Sequence, residues 1–138
     1  MITSGLTTSF KKEIMLAVHD LDTDVLKMAL YTSAADLGPA TTVYTASGES
    51  TGTGYTAGGE ILLNVTVDSG QQTGFASFDN PTWPGSSLTA RGALIYNSSK
   101  SNKSIAVINF GTDQTTVAQA FNVVLPPDTP ESAAIRIS

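Results

Sequence analysis

The feature that most constrains the fold is a period-two alternation that runs from Val25 almost to the end of the chain. β-Branched and aromatic residues alternate there with small polar residues, between stretches rich in Gly, Pro, Ser, Thr and Asn, which is typical of β-strands. Within residues 25–32 and 60–68 the apolar side chains fall on one side of an extended chain: Leu26, Met28 and Leu30, then Ile61, Leu63, Val65 and Val67. This alternation predicts a sheet with one face in water.

About eight short strands follow one another with no helical pattern between them. Their predicted ranges are 25–32, near Thr42–Ala46, 60–68, 73–79, 87–97, 104–110, 118–125 and 133–137. Such a series predicts an all-β protein, an antiparallel β-sandwich of jelly-roll-like type. We found no internal repeat and no interior boundary, so residues 1–138 are predicted to form a single domain with its sandwich at about 25–137.

One α-helix is predicted before the strands, at about residues 8–18. Leu6, Phe10 and Ile14 recur at helical spacing, and Thr8 or Ser9 is a suitable cap. Lys11 and Lys12 lie in its first turn, where positive charge opposes the helix dipole. We therefore expect the helix to depend on packing against the rest of the protein, unless the terminal segments act as arms toward a partner.

Composition excludes several classes of function. Of the 138 residues 41% are apolar and 14% charged, and the formal net charge is −5, which disfavours nucleic acid as a partner. The chain has no cysteine, no apolar run of the roughly 18 residues that a membrane span needs, and no basic-then-apolar signal pattern at its start. We expect a protein with no membrane partner that stays in the cytoplasm until it joins an assembly.

The motif Gly48-Glu49-Ser50-Thr51-Gly52 matches G-x-S-x-G, the nucleophile elbow of hydrolases. An elbow requires a helix after the serine and a histidine later in the chain. The glycine-rich residues after Ser50 cannot begin a helix, and the single histidine, His19, precedes the motif. We interpret residues 46–59 as a loop and predict that the protein is not an enzyme.

A cofactor or metal is not predicted either. Asp20, Asp22 and Asp24 have the spacing that begins an EF-hand, but Val25 and Tyr31 occupy the positions where its Gly and Glu are needed. A solvated turn is the favoured interpretation. The glycines of residues 46–59 also lack the spacing and the lysine of a phosphate-binding loop.

Trp83, the only tryptophan, lies between two prolines in a predicted loop at residues 79–87. Such an aromatic is either an exposed contact for sugar or protein, or a buried lid on one end of the sandwich. Burial is the favoured interpretation.

Several segments are similar to a group of small structural proteins from the virions of tailed bacteriophages. They are VLKMALYTSAADLGPATTVYTASGE at 25–49, GTGYTAGGEILLNVT at 52–66, SLTARGALIYN at 87–97 and IAVINFG at 105–111. The resemblance implies a capsid cement, or decoration, protein: a β-sandwich bound to the outer surface of the head at joints between major capsid subunits. Two alternatives remain open, a glycan-binding module on the virion and a component of the tail or the head-to-tail joint.

A cement protein needs a rigid body and segments that bury apolar area on its partners. The implied partners are the major capsid protein and further copies of this chain, as a dimer or trimer on the capsid surface. The residues expected to contact a partner are Leu6, Phe10, Tyr55, Trp83, Ile135 and Ile137.

Overall fold

A computed structural model describes residues 1–126, 129 and 131–138. It contains ten β-strands, one α-helix and one 3-10 turn among these residues. In chain order they are β1 (Gly5–Leu6), α1 (Thr8–Met15), β2 (Leu26–Tyr31), β3 (Glu60–Ile61), β4 (Thr66–Gly70), β5 (Thr73–Ser77), β6 (Thr82–Ser86), β7 (Thr89–Asn97), the 3-10 turn (Ser98–Lys100), β8 (Lys103–Thr115), β9 (Gln119–Asn122) and β10 (Ile135–Ile137).

The strands form three antiparallel sheets. The largest has five strands in the order β1-β8-β7-β2-β3, the second has the order β10-β5-β4, and β6 pairs with β9 in the third. The predicted fold class is confirmed: the protein is all-β and sandwich-like, with antiparallel sheets and a single α-helix. Its membership of the jelly-roll type stays a prediction.

The centre of the five-stranded sheet is buried on both faces. Leu26, Met28 and Leu30 of β2 point into one core, as predicted. Ala29 and Tyr31, on the opposite face of the same strand, belong to a second core. Strand β7 divides its residues in the same way, so the predicted wet face is wrong for this part of the sheet.

Different parts of the chain cover the two faces. The first face packs against α1 and the two smaller sheets, through residues that include Phe10, Ala76, Trp83, Phe121 and Ile135. The second face is covered by the N-terminal residues and by irregular chain after β2, through Ile2, Ala35, Leu37 and Tyr44. The predicted strand near Thr42–Ala46 is wrong, because only Val43 makes an isolated bridge, with Lys103.

Helix α1 is shorter than predicted because the backbone reverses at Ala17. Thr7, rather than Thr8 or Ser9, is the N-cap, and its hydroxyl accepts a hydrogen bond from the Phe10 amide. At the other end Val18 N–H donates to Glu13 O and Ala17 N–H to Ile14 O, which is a Schellman motif. No helix in the described part of the chain has the length and hydrophobicity to cross a membrane.

The predicted strand at 60–68 is interrupted. Asn64 has φ 54°, and the segment divides into β3 and β4. Leu62 is the buried residue and donates its amide to Leu26 O, whereas Ile61 and Leu63 are 52% and 61% exposed. The predicted sidedness is therefore wrong for Ile61 and Leu63, whereas Val65, beyond the break, packs against the first core.

Residues 79–87, predicted as a loop, contain β6. Trp83 pairs with Phe121 of β9 and is fully buried, which agrees with its interpretation as a lid. Its ring meets that of Phe121 edge-on at 6.2 Å. Its indole Nε1 is buried with no hydrogen-bond partner among the described residues.

Strands β4 and β5 form a tight hairpin with Gln71 and Gln72 at its tip. Both residues have positive φ, 48° and 64°. Two consecutive positive φ values define the type I′ turn, which normally uses Asn and Gly. Because the tip has two glutamines in place of Asn and Gly, the sequence did not predict this turn, although it predicted both strands.

Replacing Ala17 with glycine tests the helix end. Ala17 has φ 56°, where a Cβ is unfavourable and glycine is not. We expect Ala17→Gly to raise the free energy of unfolding by about 1 kcal/mol in chemical denaturation. As a control, Ala40→Gly, at an exposed site without positive φ, should slightly lower the free energy of unfolding. Equal destabilisation by both variants would contradict the assignment.

Candidate functional site

Ser50 of the G-x-S-x-G motif has a structural role. Its side chain is buried, and its hydroxyl donates to the carbonyl of Thr89 at 2.7 Å. Its amide donates to Leu30 O at 2.9 Å. These bonds hold the loop between two strands of the large sheet.

Both ring nitrogens of His19 have hydrogen-bond partners. Asn97 accepts from the Ser99 amide through Oδ1 and donates from Nδ2 to Asp24 at 2.7 Å, so its orientation is determined. The same Nδ2 lies 3.0 Å from His19 Nδ1, which must therefore be the acceptor. Nε2 then carries the hydrogen and donates to Glu13 at 3.1 Å. Neither ring nitrogen is left to serve Ser50.

The acidic turn does not assemble a metal site. Asp20 and Asp22 are exposed, whereas Asp24 turns toward Asn97, the Asp20 amide and Lys100. Burial tends to raise the pKa of Asp24, but these hydrogen bonds and the lysine outweigh it and lower the pKa. No group of three or more His, Asp or Glu side chains able to hold a metal occurs within the part of the chain that the structure describes.

Glu49 organises the loop that contains the motif. Its carboxylate accepts from the Tyr44 hydroxyl at 2.7 Å and from the Gly58 amide at 2.8 Å. Gly58 O accepts in turn from Tyr96, which stacks on Tyr44 with ring centroids 5.0 Å apart. This Glu49–tyrosine cluster ties residues 44 to 58 onto β7.

The loop also requires glycine at Gly59. A Cβ at this position would lie 1.8 Å from Met28 O, and its φ is 80°. Only glycine permits this approach of the loop to β2.

Burial and the negative charge of Glu49 raise the pKa of all four tyrosines of the chain. Burial is the largest cause in each case, and it raises the pKa of Tyr31, Tyr44, Tyr55 and Tyr96; the negative charge of Glu49 raises each further. The pKa of Tyr44 rises to about 12. The neutral phenols are thus held as hydrogen-bond donors and acceptors.

The six residues predicted to contact a partner divide by burial. Phe10, Trp83 and Ile135 are buried in the first core, so these side chains offer no exposed surface. Leu6 and Tyr55 are half-buried, and the Tyr55 hydroxyl accepts from the Leu30 amide at 2.9 Å. Ile137 remains 47% exposed, on a strand that pairs with β5 of this chain. The structure therefore does not bring the six together on one surface.

An apolar groove of about 760 Å³ is the clearest candidate site. Residues of β1 and β8, including Gly5, Ile108 and Phe110, form one wall. Residues 120–126 with Ala133 and Ala134 form the other. None of the described residues that line it carries an ionisable side chain. The described lining is thus suited to apolar contact, and its polar members are hydroxyl and amide side chains.

Sequence reasoning missed this groove, although a signal existed. Residues 114–126 contain no charged residue. They include Val117 and Val124, which are 75% and 80% exposed. An uncharged, apolar stretch that remains exposed is a marker of an interaction surface.

The fold and the groove define an all-β, sandwich-like protein with a surface cleft whose described lining residues are uncharged. No family model matches the chain, and neither the curated proteins nor the solved structures give a significant match.

Replacing Glu49 with glutamine tests the Glu49–tyrosine cluster. Because the phenol pKa values are raised above the ordinary value of 10.0, the cluster's stability contribution is intact below about pH 10 and is lost as the pH rises through the folded values. Glu49→Gln keeps an acceptor but removes the charge. We expect the tyrosinate absorbance titration to shift to lower pH. Glu60→Gln, at an exposed carboxylate, is the control; an identical shift there would refute the role of Glu49.

Proposed function

We propose that this chain is a non-enzymatic structural protein of a tailed-bacteriophage virion, a capsid cement protein on the outer surface of the head. Its principal partner is the major capsid protein. It acts by bridging joints between capsid subunits and so raises the stability of the shell.

The observation that carries this proposal is the groove of about 760 Å³, whose lining is non-ionisable in the part of the chain that the structure describes. Apolar surface gains about 25 cal/mol per Å² on burial, so a few hundred Å² provide several kcal/mol before the costs of association. Contacts of this size become strong when many copies act together on a symmetric shell. A cement protein requires no more than this.

The resemblance supports the same proposal. The similar segments at 25–49, 87–97 and 105–111 contain β2, β7 and part of β8, the central strands of the large sheet. The similarity therefore concerns the rigid body. One wall of the groove, from Ala106 to Phe110, lies within the similar segment 105–111, and the other wall, residues 120–126, lies beyond the quoted segments.

The alternatives receive less support. The glycan-binding hypothesis relied on Trp83 and Tyr55 as stacking platforms, and Trp83 is fully buried. A place in the tail or the head-to-tail joint uses the same kind of surface, and only the position of the protein on the particle distinguishes it from cement.

Particles that lack the protein provide the direct test. We expect heads without it to release their contents at lower temperature than complete heads, and added protein to restore the difference. Imaging should place it over the head surface. Unchanged thermal stability together with absence from purified heads would refute the proposal, and density at one vertex alone would select the joint.

A charge placed in the groove should prevent binding to heads. Val124→Lys puts an ammonium group against an uncharged lining, where its desolvation opposes docking. Val117→Lys is the matched control, because Val117 is 75% exposed against 80% for Val124 but does not line the groove. We expect co-sedimentation with heads to fall at least about tenfold for the first variant only. Equal binding by both would place the contact elsewhere.

A further inference from the structure

We propose that protonation of His19 releases residues 16–24 from the end of β7, which makes this junction an acid-sensitive latch. The latch consists of His19, Asn97 and Asp24, which join the chain between α1 and β2 to the large sheet. The inference concerns a conformational change within the chain and does not rest on the proposed function.

The hydrogen bonds of Asn97 require a neutral imidazole. Asn97 is fully buried, and its Oδ1 accepts from the Ser99 amide at 3.1 Å. Its Nδ2 donates one hydrogen to Asp24 at 2.7 Å and directs the other at Nδ1 of His19, at 3.0 Å. A proton on Nδ1 would therefore place two donors against each other, with no acceptor between them.

Asn97 cannot meet a protonated His19 by turning its amide over. Its carbonyl oxygen would then lie against the Asp24 carboxylate, and its amino group against the Ser99 N–H. Asp24 stays charged in mild acid, because burial tends to raise its pKa but its hydrogen bonds and a nearby lysine outweigh burial and lower the pKa. The change must therefore take place on the side of His19.

The charges around His19 are already balanced. Glu13 accepts from Nε2 of His19 at 3.1 Å through one carboxylate oxygen, and its other oxygen lies 3.4 Å from Lys103 Nζ. Asp24 lies 3.6 Å from Lys100 Nζ in the same way. The His19 side chain has no exposed surface, so water does not solvate it. An imidazolium would thus be a third cation beside two carboxylates, at a site where burial disfavours charge.

The remaining charged groups near His19 lie in water. His19 lines a hollow of about 490 Å³ together with Asp20, Asp22 and Arg136. These three side chains are exposed. Water and salt weaken their interaction with a buried ring, so they do not replace the acceptor that Nδ1 would lack.

Residues 16–24 have few other attachments to the sheet. In the described part of the chain, the hydrogen bonds and ion pairs that reach the large sheet or the 3-10 turn come from His19 and Asp24 alone. The other hydrogen bonds of this segment run to α1 or stay within it, and Leu21 adds apolar contact with the first core. Release of His19 therefore opens this segment locally, without unfolding the sheet.

Opening of the latch uncovers apolar surface. The ring centroids of His19 and Phe10 are 5.1 Å apart. Phe10, Ile14 and Ile135 line the hollow beside the imidazole. When the imidazole leaves, water reaches this part of the first core. The latch thus converts a fall in pH into newly exposed apolar surface on one side of the molecule.

The direction of the effect follows from proton binding. The open form binds one more proton than the closed form, so a falling pH favours opening. Histidine ordinarily titrates at about pH 6.5, which makes opening up to about thirtyfold more favourable at about pH 5 than at about pH 8. His19 is the only histidine of the chain, so a single imidazole accounts for the change.

Hydrogen exchange of the free chain at about pH 5 and about pH 8 measures the opening. Protection factors, which correct for the intrinsic effect of pH on exchange, are compared for the amides of Val18 and Asp20, on either side of His19. The amide of Leu94, in the centre of β7, is the internal reference. NMR of the imidazole nitrogens identifies the tautomer and follows its protonation. The matched variant is His19→Gln, because a glutamine amide also provides a donor and an acceptor but does not titrate.

We expect the Nε2–H tautomer at about pH 8, and protection at Val18 and Asp20 at least about tenfold lower at about pH 5, with Leu94 unchanged. His19→Gln should keep the same protection at both pH values. The Nδ1–H tautomer would overturn the proposal, as would unchanged protection in acid or an equal loss in His19→Gln. The first two results come from the wild-type chain and decide the matter even if the variant does not fold. The experiment uses the free chain, so its outcome is separate from that of the head-binding test.

Discussion

Burial of the large sheet on both faces is the constraint on which the rest of the structure depends. β2 and β7 send alternate side chains into two different cores, so neither strand has a face that tolerates water. Each face needs its own cover, and the two covers are of different kinds. One cover combines α1 with two small sheets, and the other is irregular chain fastened by hydrogen bonds. The groove lies where the first cover stops short of β1 and β8.

The sequence predicted the class of fold because period-two alternation is a local property of each strand. β2, β5 and β7 were found close to their predicted ranges for this reason. The errors occur where backbone geometry or tertiary context determines where a strand or helix begins and ends. A positive φ at Asn64 divides one predicted strand, and a positive φ at Ala17 shortens the helix. β6 was missed because two prolines flank Trp83, although proline is tolerated on a strand whose outer edge is free.

Residues that resemble catalytic groups serve the architecture here. Ser50 closes a loop against Thr89, Glu49 connects that loop to the tyrosines, and His19 joins α1 to the end of β7. Buried polar groups of the backbone and of neighbouring side chains need hydrogen-bond partners. A hydroxyl, a carboxylate or an imidazole of suitable length can each provide one. A sequence records the residue types but not the partners. The groove was missed because its two walls come from segments distant in sequence, around β1 and β8 and at residues 120–126, which only the fold brings together.

The hairpin tip at Gln71 and Gln72 has a practical consequence. Both residues occupy a left-handed backbone region that glutamine disfavours, and both side chains are exposed. The tip is also absent from the lining of the groove. A foreign epitope grafted between these two glutamines would relieve an unfavourable turn and leave both cores intact. If the chain covers a viral shell in many copies, this position would turn the shell into a multivalent display platform.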